Sequence, residues 1–95
     1  WLARVVFRDG EAIPAGALFF AENPRQRCDL PESLGCEFTA SGAVRTGEHE
    51  ATNVPGLYVA GDASRRVQLA IIAAAEGAGA AFAINTALLQ RDLAE

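Results

Sequence analysis

Residues Pro55-Gly56-Leu57-Tyr58-Val59-Ala60-Gly61-Asp62 place a turn, a short apolar run and a Gly-Asp stop in direct succession, just ahead of a long stretch rich in small side chains. Leu57 to Ala60 is a continuous apolar run bounded by turn residues, the pattern of a strand buried on both faces. Gly61 then ends the strand without a side chain, so a ligand can approach the backbone and the next carboxylate can point out of the sheet edge. Asp62 therefore stands where ligand sites of open α/β sheets stand, beyond the carboxyl end of a strand and close to a helix start with its orphan N–H groups. The spacing also fits a plain strand-to-helix connection in which Asp62 caps the helix.

The helix is expected from about Arg65 or Val67 to Leu89 or Gln90. Val67, Ile71, Ala74, Ala78 and Ala81 form one apolar stripe, and Leu69, Ile72, Ala73, Ala80 and Ala83 form another, so protein must wrap it. Gly77 and Gly79 each cost about 1 kcal/mol of helix propensity relative to alanine, which points to positions where another backbone packs closely. They are no dinucleotide fingerprint, because no strand runs directly into them. Glu76 near the helix centre and the scarcity of leucine argue against a bilayer as the host.

Upstream, Leu2 to Arg8, the Asp9-Gly10 turn signal and Ala12-Ile13 predict a strand pair. Pro14 and Gly16 break it, and Ala17 to Ala21 is a second buried-strand run. Residues 29–35 suit one helical turn stopped by Gly35. Cys36 to Thr39 and Ala43 to Thr46 flank a short glycine-containing connection and predict a hairpin. His49, between two glutamates in a polar loop, is expected to be an exposed loop residue.

At 95 residues the chain can bury one modest core. It starts at Trp1 and has no methionine, which leads to the expectation of a piece of something longer. With 12 acidic and 8 basic residues and a net charge of −4, it lacks the basic stripe that nucleic-acid binding needs. Arg25 and Arg27, and Arg65 and Arg66, are expected to be solvated loop charges. Cys28 and Cys36 have neither redox nor metal-ligand spacing and are expected to be free thiols. No secretory signal is visible, so a cytoplasmic home is the default expectation.

Val54 to Ala63, followed by Ala70-Ile71-Ile72-Ala73-Ala74-Ala75-Glu76-Gly77, resembles the C-terminal part of thioredoxin reductase-like FAD/NAD(P)-dependent (pyridine nucleotide-disulfide) oxidoreductases. The resemblance covers roughly Gly16 to Leu89. It implies an α/β fold, the C-terminal part of a three-layer Rossmann-like FAD-binding domain, with short β-hairpins and one long C-terminal helix. Residues 1–15 would be a remnant strand pair of the NAD(P)H-binding domain, and residues 16–95 the C-terminal half of the FAD-binding domain. In the family the Gly-Asp aspartate accepts a hydrogen bond from a ribityl hydroxyl of FAD, which falls here on Asp62 beside Gly61. The next helix points its N-terminus toward the pyrimidine edge of the flavin, which falls on Gln68, Leu69 and Ala70. Thioredoxin reductases proper tend to carry Arg-Gln-Ala there, and Val67-Gln68-Leu69-Ala70 looks more like the dithiol-oxidase and uncharacterised branches.

The implied activity is electron transfer from NAD(P)H through FAD to a disulfide, or the reverse with a dithiol, and none of the chain's own residues is expected to be catalytic. The implied partners are the N-terminal FAD half and the NAD(P)H domain, a second copy in a homodimer, and a disulfide or dithiol substrate, with no nucleic acid, metal or membrane. The chain ending soon after the helix favours the smaller thioredoxin reductase-like type over glutathione reductase-like enzymes. Two other readings stay open: a non-catalytic packing or dimerisation module, and the FAD domain of a ferredoxin reductase-like or monooxygenase flavoprotein.

Overall fold

The computed structural model describes residues 1–21, 23–65 and 67–94. Strands β1 (Arg4–Val6) and β2 (Ala12–Pro14) pair antiparallel, with Val5 opposite Ile13. The Asp9-Gly10 signal is the reason. Gly10 takes φ +93°, Asp9 Oδ1 accepts the Glu11 N–H at 2.9 Å, and the Phe7 N–H donates to the Glu11 carbonyl at 2.8 Å.

One helical turn, α1 (Leu30–Ser33), follows and stops before Gly35 at φ +90°. The predicted hairpin around residues 40–42 is present. Phe38 bridges Val44, and the Thr39 and Arg45 N–H groups donate to the Ala43 and Glu37 carbonyls, each at 2.8 Å. A second small hairpin joins Ala51 to Tyr58 across the Val54-Pro55-Gly56-Leu57 turn, where the Leu57 N–H reaches the Val54 carbonyl at 3.1 Å and Gly56 has φ +81°. Proline followed by a positive-φ glycine is the type II turn signature.

Two expected strands are not strands. Ala17 to Ala21 is irregular, with Phe19 and Phe20 exposed, and Leu57 to Ala60 is extended and half-buried with only the Ala51 bridge. A strand buried on both faces needs ladder partners on both sides and layers above and below. Among the described residues, only the segment around Ala51 offers a partner to Leu57–Ala60.

Helix α2 runs from Ala70 to Ala94, so it starts and ends later than the sequence pattern suggests. Leu69 accepts its first regular bond, from the Ala73 N–H at 3.0 Å. The last turns, Gln90-Arg91-Asp92-Leu93, hold no glycine or proline that would stop a helix. By length and composition α2 could cross a bilayer. No neighbouring atom lies within 4 Å of where a Cβ on Gly77 or Gly79 would stand, so these are not the close-approach positions anticipated among the described residues.

The fold has little apolar interior. Among the described residues, Cys36, Val44 and Ala80 are the buried apolar side chains, alongside buried Glu50, Ser64 and Glu76. The radius of gyration is 19.4 Å, against about 13 Å for a compact chain of this length. Apart from the β1–β2 pair, the contacts between elements lie where α2 touches two 3₁₀ turns, Glu48–Glu50 and Gly61–Ala63. Of the expected three-layer α/β domain, the described residues contain the long helix and one two-stranded sheet.

Candidate functional site

The Gly61–Ala63 turn is tied down at both its ends. Gly61 has φ +82°, a conformation in which a side chain costs energy, and a Cβ there would sit 3.4 Å from the Ala73 Cβ. Its N–H donates to Glu76 Oε2 at 2.7 Å, and its carbonyl accepts from the Ser64 N–H at 3.0 Å and the Ser64 hydroxyl at 3.2 Å. The Ala63 carbonyl accepts from the Val44 N–H and from Gln26 Nε2, both at 2.8 Å.

Asp62 is the exception on that turn. Its side chain is exposed and makes no hydrogen bond or ion pair among the described residues, while its carbonyl meets Gln68 Nε2 at 3.4 Å. The capping alternative falls on geometry. α2 begins at Ala70, and a capping side chain reaches only N–H groups two or three residues on. A carboxylate with unspent acceptor capacity, mounted on a pinned turn, fits a ligand hydroxyl as its donor.

Gln68 and Leu69 precede α2 and Ala70 is its first residue, all three exposed. The Ile71 and Ile72 N–H groups that follow have no partner among the described residues. Gln68 and Asp62 are brought together, and the exposed helix start follows directly after them. The orphan N–H groups and the positive dipole end of α2 favour negative charge there. Asp62, Gln68, Leu69 and Ala70, on which the resemblance puts flavin contacts, are all exposed.

Sequence reasoning missed the cluster that supports the turn. Glu76, central in α2, accepts from Gly61 through Oε2 and from Arg65 Nε through Oε1. Arg65 also donates through Nη2 to both oxygens of Glu50, at 3.1 and 3.2 Å. Glu50 and Glu76 are buried, while 44% of the Arg65 side chain is exposed. The hydrogen bond to Glu76 raises the Arg65 pKa first, then the Glu50 and Glu76 charges do, against a lowering by burial. The available signal was a lone carboxylate in the middle of an alanine- and glycine-rich helix, which demands a partner. Arg65, expected to be a solvated loop charge, is that partner.

His49 is exposed, at φ +51°. Cys28 and Cys36 are both free thiols, Cys28 exposed and Cys36 buried. No group of three or more metal-ligating side chains gathers among the described residues. An open depression of about 330 Å³ lies between Glu37, Arg45, Thr46, Gly47, Ala51, Thr52 and Asn53, and none of Gly61, Asp62, Gln68, Leu69 and Ala70 lines it.

Residues 2–77 match the family described as pyridine nucleotide-disulphide oxidoreductase. Among curated proteins, the chain is 42% identical over 64 residues to the glutamate synthase [NADPH] small chain of Mycobacterium tuberculosis, covering 67% of this chain and 13% of that one. It is 32% identical over 76 residues to trypanothione reductase of Trypanosoma congolense, covering 78% of this chain and 15% of the relative. It is 39% identical over 59 residues to dihydrolipoyl dehydrogenase of Corynebacterium glutamicum, covering 62% of this chain and 13% of the relative. The matched stretches are thus a small part of each relative's length.

Proposed function

Because the chain belongs to the pyridine nucleotide-disulphide oxidoreductase family, we propose that residues 16–95 are the C-terminal half of the FAD-binding domain of a flavoprotein that moves electrons between NAD(P)H and a disulfide or dithiol. Residues 1–15 belong in this reading to the NAD(P)H-binding domain. The observation that carries it is the Gly61–Ala63 turn, which presents one exposed carboxylate, Asp62, while its neighbours are tied down. Asp62 binds the ribityl chain. Gly61 lets the turn form, and Gln68, Leu69 and Ala70 bring a helix N-terminus to the flavin ring, where its dipole favours negative charge. When bound, FAD supplies the two-electron relay between nicotinamide and sulfur.

The remaining partners follow from surface chemistry. Ile71, Phe82 and Leu93 on α2, with Phe19 and Phe20, expose apolar area that the N-terminal FAD half, the NAD(P)H domain or a second copy in a homodimer would cover. Glu76 meets its acceptor needs within protein, which supports packing of α2 in a protein interior and not in a bilayer. The disulfide or dithiol acceptor and the thioredoxin reductase-like branch rest on the resemblance and on the family description. The 95 residues alone are inactive in this reading, since a FAD site needs a pyrophosphate-binding half as well.

The test is FAD titration of the longer flavoprotein with and without Asp62→Ala. Losing a charge-assisted hydrogen bond costs about 1.5–3 kcal/mol, so affinity falls about ten- to a hundredfold. Unchanged FAD affinity would remove the ribityl role.

A further inference from the structure

We propose that Glu76 is a positioning residue for the flavin contact: by holding the Gly61 N–H it fixes the direction in which Asp62 presents its carboxylate. The inference rests on the FAD reading above. Five residues close a ring around the site. Gly61 donates to Glu76, Arg65 donates to Glu76 and to Glu50, and the Glu50 carbonyl accepts the Val59 N–H at 3.0 Å, two residues before Gly61. The ring therefore anchors both the extended approach to the turn and the turn itself to the middle of α2.

A carboxylate is the group that this place requires. Gly61 is buried, so its N–H must find an acceptor, and Arg65 brings a second donor to the same side chain. Glu76 has two acceptor oxygens, one for each. A glutamine could serve only one of them, because its NH₂ would face a second donor. Loosening either contact frees the backbone immediately before Asp62, whose own side chain nothing else among the described residues restrains.

The competing explanation is that Glu76 merely satisfies a buried N–H and stabilises the fold without directing Asp62. A double-mutant cycle in the longer flavoprotein separates the two, with the FAD dissociation constant measured for the unsubstituted protein, Asp62→Ala, Glu76→Gln and the double variant. If Glu76 acts through Asp62, Glu76→Gln weakens FAD binding about tenfold in the unsubstituted background and less than about twofold in the Asp62→Ala background, a coupling typical of one hydrogen-bond network. Equal losses in both backgrounds, or no loss in either, overturn the proposal while Asp62→Ala still weakens binding. If Asp62→Ala itself leaves FAD affinity unchanged, the FAD reading fails and the inference falls with it. Arg65→Lys keeps the charge but not the planar fork that spans two carboxylates, and it carries the same cycle if Glu76→Gln does not fold. Its expected loss is smaller, about threefold, and it too should vanish when Asp62 is absent.

Discussion

Arg65→Ala tests the ring by its local stability. Without the guanidinium, Glu76 keeps the Gly61 N–H, but Glu50 keeps only the Thr46 hydroxyl at 3.5 Å, the outer limit of a hydrogen bond. The side chains of Glu50 and Glu76 are 9% and 8% exposed, so with Arg65 in place neither carboxylate is well solvated. Removing one partner of a buried ion pair costs about 3–5 kcal/mol. Arg65 is 44% exposed, and water can follow into its space, so solvent screening lowers the expected loss to about 2 kcal/mol. At 1.4 kcal/mol per factor of ten, local opening becomes about thirtyfold more frequent.

Amide hydrogen exchange reads this directly. The Gly61 and Val59 amides, bonded to Glu76 and to the Glu50 carbonyl, should both exchange about thirtyfold faster. The Phe7 amide, in the β1–β2 hairpin and away from the ring, should keep its rate. Arg65 has a raised pKa in the folded protein, so its stabilising contribution is fully present below its unfolded pKa and is lost only as pH rises through the still higher folded one. Its own titration therefore leaves the comparison undisturbed below strongly alkaline pH. Gly61 and Val59 rates within about threefold of the unsubstituted protein would refute the view that Arg65 holds the turn to α2.

Gly61→Ala should cost about 1–2 kcal/mol in a urea unfolding midpoint, because φ +82° is unfavourable for a side chain, whereas the 3.4 Å approach to Ala73 is ordinary contact. A loss below about 0.5 kcal/mol would show that the turn relaxes to another conformation. The 95-residue chain, with Phe19 and Phe20 at 95% and 76% exposure and Ile71 and Phe82 uncovered on α2, should bind an apolar fluorescent dye and self-associate. A dye-silent monomer at high concentration would contradict the exposure of these faces.

The elements legible in the sequence are those decided within a few residues. Asp9-Gly10, Ser41-Gly42 and Pro55-Gly56 each announce a turn, and in each the glycine takes a positive φ and the chain folds back. The long helix was legible from its composition, but its start was not. Leu69, the residue before Ala70, is no capping residue, so nothing local marks that boundary. The run Leu57 to Ala60 misled for the opposite reason. Its apolar pattern describes a strand with partners, and partners are a property of other segments.

The site divides along the same line. The exposed position of Asp62 on a turn was legible because a Gly-Asp stop after an apolar run is a local signal. Its support was not, since Arg65 lies 11 residues from Glu76 and 15 from Glu50, and the three meet only when the turn folds onto α2. Glu76 had served in the sequence only as a mark against a bilayer. The stronger implication is geometric. A carboxylate buried in a helix of alanine and glycine must face its donors, so its position selects which side of α2 receives the Gly61–Ala63 turn. Ala73 and Ala80 lie on that same side at helical spacing, Ala73 close enough that a Cβ on Gly61 would stand 3.4 Å from its own Cβ, and Ala80 buried. Small residues set how near the turn can come, and the buried charge of Glu76 sets where it comes to rest.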